Sequence, residues 1–114
     1  MPFIRTTVSK QVTDKEATLI KESLGRSISL VRGKAECYLM LSIQDGVRMA
    51  YQGDMDTPCA MVEVSLLGKA DAKELDELTS AITADLNRIL GIDPARVYVN
   101  YMEFEHWGVS GHNV

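Results

Sequence analysis

The 114-residue sequence is short of several things at once. Its two cysteines, Cys37 and Cys59, are too few and too scattered for a disulfide framework. Val62 stands where a C-x-x-C beginning at Cys59 would need its second thiol. The two histidines, His106 and His112, have no third ligand at a metal-binding spacing. Both cysteines are therefore expected to be buried small hydrophobes, and no metal or cofactor is implied. No apolar run approaches the roughly 20 residues of a membrane helix. The start lacks the charged, apolar and small-residue regions of a signal peptide. Lysine and arginine do not cluster and the net charge is −4, which argues against a nucleic-acid or anionic-membrane partner. The expected compartment is the cytoplasm.

What remains is an ordinary globular composition, 46% apolar and 25% charged, expected to form one domain over residues 1–114. Phe3 to Val8 alternates and is rich in β-branched residues, a first strand. Thr13-Asp14-Lys15-Glu16 has the form of a capping box. Ala17, Ile20, Leu24, Ile28 and Val31 then mark one helical face, stopped at Arg32-Gly33. Tyr38 to Ile43 reads as a second strand, Gln44-Asp45-Gly46 as a turn, and Val47 to Tyr51 as a short strand before a loop to Pro58. Ala60 to Leu67 is a third strand ending at Gly68.

Asp71 is placed to cap a second helix whose face is Leu75, Leu78, Ile82, Leu86 and Ile89, ended by Gly91. Arg96 to Tyr101 is a fourth strand, and the tail around Trp107 one edge strand. The order predicts an α+β domain: two β-α-β repeats forming a four-stranded mixed sheet, with two antiparallel helices on one face. Tyr38, Leu39, Met40 and Leu41 read as apolar on both faces of the sheet, so its second face is expected to be covered by another copy.

The first two residues carry a chemical signal of their own. Initiator methionine is removed when the next residue is small, and here that residue is Pro2. A chain beginning at Pro2 has a secondary amine at its end, and burial or a nearby cation lowers the pKa of such a group. It is then a neutral base near pH 7.

Pro2-Phe3-Ile4, Gly33-Lys34, Pro58-Cys59-Ala60 and Arg96-Val97-Tyr98-Val99-Asn100-Tyr101 occur in this order over nearly the whole chain. In this the sequence resembles the macrophage migration inhibitory factor branch of the tautomerase superfamily. The resemblance implies a homotrimer whose three sheets form a barrel, with active sites at subunit interfaces. It implies keto–enol conversion of phenylpyruvate-like α-keto acids, or of dopachrome, without a cofactor. Pro2 would be the base, Lys34 the carboxylate ligand and the Leu67 N–H a donor. Tyr98 and Asn100 would come from a neighbouring subunit, with Tyr38 and Trp107 in the pocket wall. A different class of function is also implied: a secreted, cytokine-like protein that binds a receptor and keeps only a vestigial pocket. A dehalogenase or decarboxylase of the same superfamily would want additional pocket arginines, and only Arg5 and Arg96 are candidates.

Overall fold

In a computed structural model describing Met1 to Val114, the sheet is built outward from the first strand. Alternation decides its faces. In β1 (Pro2–Val8), Pro2, Ile4, Thr6 and Val8 are buried, while Phe3, Arg5 and Thr7 point the other way. β1 runs parallel to β2 (Met40–Gln44), pairing Phe3 with Met40. It runs antiparallel to β3 (Ala60–Leu67), pairing Pro2 with Leu66. β3 is parallel to β4 (Val97–Phe104), pairing Glu63 with Asn100. The sheet order is β2-β1-β3-β4, mixed in direction.

Each parallel pair is joined by a helix, as parallel strands require. α1 (Asp14–Ser27) starts at the expected capping box: the Glu16 N–H donates to Thr13 Oγ1 at 3.1 Å and the Thr13 N–H to Glu16 Oε1 at 3.0 Å. α2 (Ala72–Leu90) starts at Asp71, whose carboxylate accepts from the Lys73 N–H at 2.8 Å. It stops at Gly91, where φ is 70°, a conformation costly for any residue with a Cβ. Ile20, Leu24, Leu78, Ile82 and Leu86 bury themselves against Ile4, Val62, Val64 and Leu66. Each such side chain contributes about 1.5–3 kcal/mol. β1 and β3 are antiparallel and each helix runs back along its own strand, so the helices are antiparallel on one face.

Four expectations are corrected. The second strand begins at Met40, because Glu36–Tyr38 forms a 3₁₀ turn in which Tyr38 and Leu39 N–H groups bond back to Ala35 and Glu36. That turn lies so close to α1 that a Cβ on Gly25 would collide with the Glu36 carboxylate. Val47–Tyr51 is not a strand; its end forms only a bridge from Tyr51 to Asp54. The tail is a hairpin of β5 (Gly108–Val109) and β6 (His112–Asn113), turned by Ser110 and Gly111 at positive φ. Cys59 is buried as expected, but Cys37 is exposed because it rides on the 3₁₀ turn.

The open face of the sheet is also less uniform than the sequence suggests. Phe3, Met40, Met102 and Phe104 make one end of it apolar, while Arg5 and Glu63 pair across its middle at 3.8 Å. Met40 is 70% exposed in the single chain. The inward residues of the same strands, such as Leu41 and Ile43, pack on the core.

Candidate functional site

Three pieces of backbone meet where β1 begins. Past the Pro2–Leu66 pair, the Leu67 N–H donates to the Met1 carbonyl at 3.1 Å. Lys34 Nζ donates to the Leu67 carbonyl at 2.9 Å. Lys34 reaches this point because the chain turns at Gly33, with φ at 80°, and its own N–H bonds to the Val31 carbonyl. The Met1 amine is pushed below its ordinary range, chiefly by burial and further by the Lys34 charge beside it.

A cleft of about 610 Å³ opens here, lined by Met1, Pro2, Cys37, Tyr38, Trp107 and Val109 among others. A second hollow of about 460 Å³ adjoins it through Phe3, Met40 and Trp107, and adds Phe104 and His106. Trp107 is fixed from two sides. Its ring meets Phe104 edge-on at 6.1 Å, and its carbonyl accepts the Val114 N–H at 2.9 Å. The terminal hairpin is therefore the cleft's outer wall, a role that the sequence pattern of a single edge strand does not convey.

Pro2, Lys34, Leu67, Tyr38 and Trp107 thus gather at one end of the sheet. Tyr98 and Asn100 do not. They pair with Met61 and Glu63 on the open face, whereas Leu67 pairs with Phe104. Four residues of strand separate Asn100 from that level, about 13 Å. Cys37 and His106 line the two hollows yet had no signal in the sequence beyond their place beside Tyr38 and Trp107. No group of three or more His, Cys, Asp or Glu is arranged to hold a metal ion.

The family model for macrophage migration inhibitory factor (MIF) matches residues 1–113. The chain belongs to the MIF family. Among solved structures, MIF2 of Leishmania major is similar over 100% of this chain and 97% of its own, at 29% identity and a TM-score of 0.93. The MIF homologue of Prochlorococcus marinus is similar over 97% of both chains, at 27% identity and a TM-score of 0.85. The MIF-like protein of Entamoeba histolytica, at 18% identity and a TM-score of 0.87 over 99% and 98% of the two chains, shares the fold. No curated protein sequence matches the chain. The MIF fold, that of the tautomerase superfamily, supports a tautomerase-like or MIF-like function and an oligomer acting on small molecules.

Proposed function

We propose that the chain, after loss of Met1, is a cofactor-independent tautomerase for phenylpyruvate-like α-keto acids, with Pro2 as base and acid. The observation that carries this reading is the convergence of Lys34 and the Leu67 backbone on the chain start, whose first two residues line the cleft. Removing Met1 does two things there. It turns the Pro2 nitrogen from an amide into a secondary amine, and it releases the Leu67 N–H from the Met1 carbonyl. Burial and Lys34 already lower the pKa of the amine one residue away, and the same causes favour a neutral Pro2.

The chemistry needs a proton taken from the carbon beside a carbonyl and returned to the other end of the enol system. A single base with a pKa near the working pH serves both steps. Lys34 holds the substrate carboxylate, as a compact cation with three donors. The freed Leu67 N–H adds a donor for substrate oxygen. Tyr38 and Trp107 supply flat apolar walls for an aromatic side chain and exclude water from the polar contacts. In a homotrimer, a neighbouring subunit brings Tyr98 and Asn100 to the oxygen on which enolate charge develops. Their distance from the cleft within one chain supports that division of labour.

Intact mass of the purified protein establishes whether Met1 is gone. In the processed protein, Pro2→Gly is expected to slow enol formation from phenylpyruvate by about 10²–10⁴-fold. Unchanged turnover in that variant would end the proline mechanism.

A further inference from the structure

Arg96 spends its whole guanidinium far from the cleft. Its side chain is 10% exposed, and it donates to four backbone carbonyls: Pro58 at 3.1 Å, Thr57 at 3.0 Å, Asp54 at 3.2 Å and Tyr51 at 3.4 Å. The Asp54 carboxylate lies 3.8 Å away, and the guanidinium stands 5.1 Å from the centre of the Tyr51 ring. One side chain therefore gathers the 51–58 loop against the start of β4. The loop has no regular secondary structure to hold it otherwise, apart from the Tyr51–Asp54 bridge.

What the gathered loop presents is Tyr51, and Tyr51 touches Tyr98. The two rings meet edge to face, with centroids 5.3 Å apart and planes at 87°. This is a favoured aromatic geometry rather than a chance approach. The Tyr98 hydroxyl beside it pushes the Tyr51 phenol above its ordinary range. Tyr98 is otherwise 58% exposed on the open face, where it pairs with Met61.

We infer that Arg96 and Tyr51 are positioning residues: Arg96 clamps the 51–58 loop, and the loop holds the Tyr98 ring in the orientation it presents to the neighbouring cleft. The inference rests on the tautomerase reading for the role of Tyr98, but the tether itself lies within one chain. Taking away the Tyr51 ring while the fold persists leaves Tyr98 present but free to turn. The effect therefore falls on the stabilisation that Tyr98 gives the substrate oxygen, and the pKa of Pro2 is untouched.

The test is a double-mutant cycle on the processed protein with phenylpyruvate. Tyr51→Leu keeps the Tyr51 carbonyl that Arg96 grips and removes only the ring. It is expected to lower kcat/KM about three- to tenfold with the pH–rate profile unmoved, and Tyr51→Phe, which keeps the ring, to retain most of the activity. In a Tyr98→Leu background the Tyr51→Leu step is expected to add nothing, since it acts through the ring already gone. Additive losses, or an unmoved kcat/KM in Tyr51→Leu, would overturn the inference. A readout independent of turnover is fluorine NMR of 3-fluorotyrosine-labelled protein, where the Tyr98 resonance should move toward the free side-chain position in Tyr51→Leu and Arg96→Lys. An unmoved Tyr98 resonance would also overturn it. If instead Pro2→Gly turns over normally, the base assignment fails while the fluorine comparison still scores the tether.

Discussion

At the scale of single residues, the cleft is governed by where one amine and one lysine stand. A base works only when unprotonated, so activity rises with pH through its pKa. An amine held below the ordinary α-amino value of roughly 7.7–8.0 is therefore active at lower pH than an exposed one. Lys34 is one cause of that lowering at the Met1 amine, and in the proposed mechanism it acts in the same sense on Pro2. Lys34→Met is expected to move the rising limb of kcat/KM upward in pH and to raise KM about tenfold or more, the worth of a hydrogen bond to a charged group. A pH–rate profile that stays in place would remove Lys34 from the electrostatics of the site. None of this is legible locally. A lysine after a glycine is usually a solvated residue, and only the family resemblance gives Lys34 a task. Arg96 is hidden for another reason: its partners are carbonyl oxygens, which every residue carries.

At the scale of elements, what the sequence can announce is what local chemistry decides. Thr13 with Glu16, and Asp71 before α2, are side chains that bond their own neighbouring backbone, so the helix starts are readable residue by residue. The alternation of Ala60 to Leu67 likewise exposes β3. The Tyr38 turn is closed by its own backbone bonds to Ala35 and Glu36, which an apolar run does not announce, and the 51–58 loop departs from its sequence pattern because a distant partner, Arg96, gathers it. The loop adds an acid-sensitive part. The Thr57 hydroxyl, together with the N–H groups of Asp56 and Thr57, holds the Asp54 carboxyl down from 3.8 to about 2. Its folded pKa is the lower one, so its stabilisation is complete above about pH 4 and fades as pH falls through the folded value. Thermal melts from pH 5 to pH 2 are expected to show a steeper loss of stability in the parent protein than in Asp54→Asn. Parallel curves would show that the carboxylate contributes nothing there.

At the scale of the whole molecule, the helices cover one face of the sheet and leave the other open. Its apolar end exposes Met40, Met102 and Phe104 in the single chain and is continuous with the cleft through Phe3 and Met40. Light scattering is expected to give three times the 12.6 kDa chain mass. Met102→Asp, which places a charge in the middle of that surface, should yield monomers that have lost tautomerase activity, and a stable trimer with full activity would contradict the arrangement. The separation of Tyr98 and Asn100 from Pro2 along the sheet also has a genetic meaning. In the proposed assembly a chain that keeps Met1 spoils its own cleft yet still lends its tyrosine to the next. Incomplete processing then dilutes activity in simple proportion, as a recessive fault would. A chain lacking Tyr98 costs one cleft as well, but not its own: it keeps its base and impairs a neighbour that is otherwise sound.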